Sequence, residues 1–193
     1  MEVVHPAADR YLDKADKPDR LSMSKEDFAH MFDLYHQRVY KYICYRIHHH
    51  FAAEDLCSQV FETVICKYDR YSPEKAAFEV WLFAIVRNVV TDYYRTQKKR
   101  ALFSLDALRD LVMSKSSPEE QTIRDDNHRE LFKALSKLRE KERHLVAMKF
   151  GAGLKNAEIA ELLGISESNA GVVLHRSLKK LQKTLEAGGF NYE

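Results

Sequence analysis

The stretch KNAEIAELLGISESNAGVVLHRSLKKLQKTL, running from Lys155 to Leu185, decides how this chain is read. Its first part is a short helix carrying Ile159, Ala160 and Leu163 at helical spacing. Gly164 then breaks it. Ser166 is a good N-cap for a second helix, and Glu167 sits in that helix's first turn, where a carboxylate suits the positive dipole end. The second helix places Ala170, Val173, Leu174, Leu178, Leu181 and Leu185 inward, at steps of three and four. Ala160 and Gly164 leave room where the two helices cross. This is the helix-turn-helix pattern, whose second helix enters the DNA major groove. An ordinary helical hairpin would share the periodicity. The charge behind the turn favours the DNA reader: His175, Arg176, Lys179, Lys180 and Lys183 follow with no acidic residue until Glu186.

Composition bounds the rest. A chain of 193 residues can hold one domain or two small ones. An apolar content of 45% supplies real cores, and only 6 Gly and 4 Pro favour helices over an all-β fold. The net charge is +2, so a nucleic-acid surface must be local rather than global. The cysteines, Cys44, Cys57 and Cys66, are odd in number, form no CxxC pair and fall in apolar-periodic segments. They read as reduced, buried thiols of a cytoplasmic protein, not as a disulfide framework. Residues 1–22 are polar and contain no apolar stretch of signal-peptide type. The most apolar run, Ala76 to Val86, is too short to span a bilayer and leads into Arg87. No membrane insertion is expected.

Along the chain, residues 1–22 mix charges without periodicity and are expected to be poorly ordered until contacted. A helix starts near the N-cap Ser24, with Phe28, Met31, Phe32, Tyr35, Val39, Tyr42, Ile43 and Ile47 on one face. His48-His49-His50 ends it. A second helix begins near Ala53, with Leu56, Val60, Phe61, Val64 and Ile65 inward and Glu54, Asp55, Gln59 and Glu62 outward. Tyr68 to Pro73 is a turn or loop, and a strongly apolar helix runs from about Ala76 into Tyr94. Ser114 to Glu120 is a polar, Pro-broken linker, preceded by a short amphipathic turn at Leu105, Leu108, Leu111 and Val112. A second helical domain follows, with Leu131, Leu135, Leu138, Leu145, Val146 and Phe150 beneath the helix-turn-helix. The expected architecture is all-α: two small helical domains, residues 23–100 and 128–187, joined by a flexible linker, residues 101–127, with a tail at 188–193.

The second informative stretch is Phe78 to Arg95. Its first half is core. Its second half brings Arg87, Asn88, Tyr93, Tyr94 and Arg95 together. Aromatic rings interleaved with cations suit single-stranded DNA, since rings stack on unpaired bases and cations hold phosphates. A solvated amphipathic face with Tyr packed at its edge would look the same at this stage.

The ordered set of segments resembles a known family, the bacterial RNA polymerase sigma factors of the extracytoplasmic-function group. These carry only the second and fourth conserved sigma regions. Ala53 to Phe61, AEDLCSQVF, resembles the family's core-binding helix. Phe78 to Arg95, with Trp81-Leu82, Arg87-Asn88, Asp92 and Arg95, resembles the region that melts the minus-ten element. Residues 129–185 resemble the domain that reads the minus-thirty-five element.

The resemblance implies a division of labour. Glu54, Asp55, Gln59 and Glu62 would bind the coiled-coil clamp of core RNA polymerase. The loop from Tyr68 to Ala77 would hold a base flipped out of the minus-ten element, with Tyr68, Arg70 and Tyr71 as candidate walls; flipping costs a few kcal/mol and needs stacking to offset it. Arg87, Asn88, Tyr94, Arg95, Lys98 and Lys99 would track the duplex edge and the opened strand. Ser168, Asn169 and Val172 would reach base edges, His175 would lie on the same face, and Arg176 and Lys179 would lean on phosphates. The chain departs from the commonest family pattern at Gly171 and Val173, where a Lys and an Arg often stand. That shifts the contact set toward small polar and apolar groups.

The implied partners are core RNA polymerase, promoter DNA and an anti-sigma factor. The free chain is expected to be compact, with its domains packed so that DNA surfaces are hidden. No cofactor, metal or small-molecule substrate is expected. Three consecutive histidines, His48 to His50, cannot all point one way on a helix, and only Cys44 stands near them at ligand spacing. No Walker loop, nucleophile elbow or paired carboxylates suggest an enzyme. The alternatives are a dimeric helix-turn-helix regulator acting without polymerase, and a His-dependent helical metalloenzyme.

Overall fold

The computed structural model describes residues 23–47, 49–103 and 126–188, and no strand occurs among them. The expectations of a loose N-terminus, a linker amphipathic turn, a Pro-broken linker and a short tail fall largely on residues outside this set.

Helix α1 runs Lys25–Ile47 and α2 runs His50–Lys67. A 3-10 turn at Tyr68–Arg70 leads through a loop to α3, Phe78–Phe103. In the C-terminal half, α4 spans Asp126–Ser136 and α5 Glu140–Val146. A π-helical turn, Ala147–Gly151, precedes α6, Asn156–Leu163, and α7, Glu167–Ala187.

The helix starts follow from local chemistry. Ser24 caps α1, its Oγ accepting from the Asp27 N–H at 3.0 Å, with Glu26 and Asp27 in the first turn against the dipole. The second helix begins at His50 rather than Ala53, because His49 is its N-cap: its Nδ1 accepts from the Ala52 N–H at 3.1 Å. The third helix begins at Phe78 rather than near Ala76, since the Ser72 carbonyl holds Lys75 and Ala76 in a turn. Glu142 and Glu158 each reach back to the backbone N–H ahead of their helices, at Arg139 (3.0 Å) and Lys155 (2.7 Å).

The first core lies among α1, α2 and α3. Trp81, Leu82, Phe83, Ile85, Val39, Ile43, Val60 and Val64 are at most 2% exposed there. Fully burying such a side chain contributes about 1.5–3 kcal/mol. The second core lies among α4 to α7, around Leu135, Met148, Leu154, Ile159, Leu162 and Ala170. Three expected core positions lie in water: Ile65 is 50%, Phe150 50% and Leu178 40% exposed; Leu163 packs half-buried at the core's edge beside the fully buried Leu162. In each case periodicity marks an apolar stripe wider than the face its partner helix covers.

The two cores are joined. Helix α1 packs against α5 and the π-helical turn as well as against α2 and α3, and α3 packs against α6.

Candidate nucleic-acid and polymerase interface

The helix-turn-helix forms as its sequence demands. Gly164 ends α6 in the left-handed conformation, φ 64°, ψ 36°. Two residues later the Ser166 Oγ accepts from the Asn169 N–H at 3.2 Å and starts α7. Ala170, Leu174, Ser177 and Leu181 are buried along one side of α7. The Ser177 hydroxyl is satisfied by the Val173 carbonyl at 2.8 Å, so a polar residue sits on the buried face without an orphan donor. Ser168, Asn169, Val172, His175, Arg176 and Lys179 are all exposed. The structure thus brings the predicted reading set together on the side of α7 that faces water.

On α2, Ala53, Leu56, Cys57, Val60, Phe61 and Val64 are buried. Glu54, Asp55, Gln59 and Glu62 are exposed on the opposite face. Glu54 also pairs with His50, Oε1 to Nε2 at 3.3 Å. The His50 Nδ1 in turn lies 2.5 Å from the Tyr40 hydroxyl. These bonds assign His49 and His50 to a helix cap and a side-chain network. Burial pushes the Cys57 thiol up to about 11 and raises Cys44, so neither is a reactive thiolate. Cys66, expected to be buried, is exposed on α2.

The loop after α2 is built on aromatic packing. Tyr71 lies 5.2 Å from Trp81 and 5.4 Å from Phe78, and Tyr68 meets Trp81 edge-on at 6.5 Å. Both tyrosines are half-buried, while Arg70 is exposed. The Trp81 Nε1 of this cluster and the Asp69 Oδ1 of the 3-10 turn are buried without a hydrogen-bond partner among the described residues.

The cations of α3 divide into two groups. Arg95, Lys98 and Lys99 are exposed, with Arg95 3.7 Å from Asp92. Arg87 and Tyr94 are not on that surface. Arg87 is 8% exposed and its Nη1 donates to the Leu162 carbonyl of α6 at 2.5 Å. The Tyr94 hydroxyl donates to the Arg46 carbonyl, and the Arg46 guanidinium lies 5.6 Å over the Tyr94 ring. Asn88 is half-buried between the two groups.

Sequence reasoning expected the domains to pack on each other with their DNA surfaces hidden; it named none of the groups that join them, and the front of α7 is exposed rather than hidden. Arg38 Nε donates to the Ala152 carbonyl at 2.7 Å and Arg46 Nη1 to the Glu140 carbonyl at 3.1 Å. The Tyr42 hydroxyl and His144 Nε2 are 2.8 Å apart. Arg38, Tyr42 and Arg46 stand at steps of four on one face of α1, and Arg46 is only 4% exposed. Two cations on a helix stripe that also holds Val39, Tyr42 and Ile43 were the available signal. A polar group on a buried face needs partners from elsewhere.

Two sequence-family models match this chain: Sigma-70 region 2 over residues 31–100, and Sigma-70, region 4 over residues 128–181. The ECF RNA polymerase sigma factor SigX of Bacillus subtilis (strain 168) is 30% identical over 166 residues, covering 84% of this chain and 85% of SigX. The Streptomyces coelicolor factor BldN is 27% identical over 158 residues, covering 82% of this chain and 60% of BldN. Among solved structures, the sigma factor RpoE in complex with the anti-sigma factor NepR from Bartonella quintana superposes with a TM-score of 0.62 at 20% identity, over 83% of this chain and 98% of that one. CnrH in complex with the cytosolic domain of CnrY gives 0.60 at 19% identity, over 94% and 96%.

The architecture is therefore that of a two-region promoter-specificity subunit of RNA polymerase. The chain belongs to the extracytoplasmic-function group of the sigma-70 family, and it directs core polymerase to promoter DNA. Proteins of this kind are DNA-binding initiation factors rather than classical enzymes. Among the described residues, no helix is long and apolar enough to cross a membrane.

Proposed function

We propose that residues 23–100 and 128–187 act as separate units of one initiation factor, connected by residues 101–127. The first unit binds core polymerase through Glu54, Asp55, Gln59 and Glu62 on α2. Its loop, with Tyr68, Arg70 and Tyr71, captures a flipped minus-ten base. Its α3 face holds the opened strand through the exposed Arg95, Lys98 and Lys99 with Asn88 beside them, while Arg87 and Tyr94 of the same set are bonded to the Leu162 and Arg46 carbonyls. The second unit reads the minus-thirty-five duplex. There Ser168, Asn169 and Val172 approach base edges with His175 beside them, and Arg176 and Lys179 lie on phosphates.

The observation that carries this reading is the two-sidedness of α7. One side is buried through Ala170, Leu174, Ser177 and Leu181, and the other presents small polar, apolar and cationic groups to solvent together. That is what a recognition helix requires: a fixed back and a mixed front. The chain works by binding and has no turnover chemistry. It acts in the cytoplasm, where its polymerase and DNA are. An anti-sigma protein is its regulator. The structural resemblance to RpoE with NepR and to CnrH with CnrY supports that partner class.

The test is transcription in vitro. Core polymerase freed of other sigma factors is mixed with this chain and a genomic fragment library. Initiation at a defined set of start sites sharing two spaced elements is the expected result. Random initiation, or none above core alone, would overturn the reading.

A further inference from the structure

A groove lies open between α1 and α2, on a different face of α1 from Arg38, Tyr42 and Arg46. Phe32, His36 and Tyr40 form one wall, at steps of four along α1, and His50, Glu54 and Phe61 stand on the other. Its volume is about 460 Å³, in the range that holds a small ligand or a side chain. At one end Phe32 lies 4.8 Å from Phe61. At the other the Tyr40 hydroxyl meets His50, which pairs with Glu54. Between them the exposed His36 ring stands 4.5 Å from Phe32 and 6.0 Å from Phe61. The groove is thus a file of rings with a carboxylate at its far end. Such rings take a further ring by offset or edge contact, and the carboxylate takes a cation.

The chain itself carries a segment of that chemistry. Residues 1–22 precede α1, and the Sigma-70 region 2 match starts only at residue 31. Tyr11 is the one Phe, Tyr or Trp among them, and it is flanked by Arg10 and Leu12. The segment joins α1 through Met23, near the Phe32–Phe61 end of the groove. From Met23 back to Tyr11 the chain spans up to about 40 Å, whereas Tyr40 lies only about 22 Å along α1 from its start. Tyr11 therefore reaches every point of the groove, and Arg10 follows it toward Glu54.

We propose that this groove is the docking site of the chain's own N-terminal segment, with the Tyr11 ring against Phe32 and His36 and the Arg10 guanidinium on Glu54. Glu54 also belongs to the face proposed to bind core polymerase, so the docked segment and the polymerase compete. That competition rests on the proposed role of Glu54, and the docking itself does not. A tethered occupant acts at an effective concentration in the millimolar range. The apparent affinity for polymerase is then the intrinsic affinity reduced by the undocked fraction.

The experiment uses the full chain. A photoreactive benzophenone side chain is placed at position 11, and cross-linked peptides are mapped by mass spectrometry after irradiation. Cross-links to residues 32–40 or 54–61 of the same chain are expected. Binding to core polymerase is then measured for Tyr11→Ser, His36→Ala and the double variant, which leave the proposed polymerase-binding residues untouched. Each single variant is expected to tighten binding by about threefold or more. The double variant is expected to do no better than the stronger single one, because both break one contact. Cross-links confined to other parts of the chain, or to a second copy, overturn the docking site. Groove cross-links with unchanged polymerase affinity in every variant overturn the competition, and effects that add in the double variant overturn the Tyr11–His36 contact. Failure of the unsubstituted chain to bind polymerase is failure of the functional reading instead, and the cross-link map does not depend on it.

Discussion

Arg87 of α3 donates from its Nη1 to the carbonyl of Leu162 in α6 at 2.5 Å, across the boundary between the two cores. A cation that the sequence places in a nucleic-acid-binding run thus satisfies the end of the first helix of the helix-turn-helix. Arg87→Met keeps the stem and removes the donor, leaving a carbonyl at the junction without its bond. The cost of such an unpaired group is about 1–3 kcal/mol. Urea denaturation is expected to show a lower midpoint, and an unchanged midpoint would show that the bond contributes nothing to coupling the two units.

His144 makes the junction sensitive to acid. Its imidazole is held well below its ordinary range by burial first, then by the Arg46 and Arg87 guanidinium groups. Tyr42 faces it from α1. In the unfolded chain the ring titrates at about 6.5. Below that pH the unfolded chain binds a proton that the folded chain does not, so the stability His144 contributes is present at neutral pH and is lost as pH falls. The slope is at most about 1.4 kcal/mol per pH unit for one proton. Melting curves between about pH 7.5 and about pH 5 are expected to fall more steeply for the native chain than for His144→Gln. Parallel curves would remove His144 as the cause.

Arg176 is exposed on α7 and is assigned to phosphate. Arg176→Ala is expected to weaken promoter-duplex binding by a similar factor on every sequence and to reduce the salt slope by about one. A loss confined to one base sequence would mean that this side chain reads bases.

Asn169 uses its backbone N–H for the Ser166 cap, while the residue itself is exposed at the front of α7. Asn169→Ala therefore leaves the cap intact. It is expected to change preference at one or two minus-thirty-five positions in a randomised promoter library, by about 1–3 kcal/mol for a bidentate contact. Unchanged preferences would take Asn169 out of the reading set.

What the chain reveals without its tertiary structure is set by local rules. Ser24, Gly164 and Ser166 mark helix ends because capping depends on residues only a few positions away. The buried and exposed sides of α2 and α7 follow from helical periodicity, as do the acidic face on one and the mixed polar front on the other. The order of the three family-like segments is likewise a one-dimensional property.

The partners of each face are not. Ile65, Phe150 and Leu178 carry core-like spacing and lie in water, because burial depends on which neighbour arrives and how much it covers. Arg87 and Tyr94 read as surface groups and are drawn inward, because Leu162 and Arg46, far away in the chain, present them with carbonyls. Gly151 has no distinguishing local signal at all. Its role exists only because Tyr42 of α1 comes within 3 Å of where a Cβ would stand, and such a long-range steric fact is created by the packing of the two units on each other.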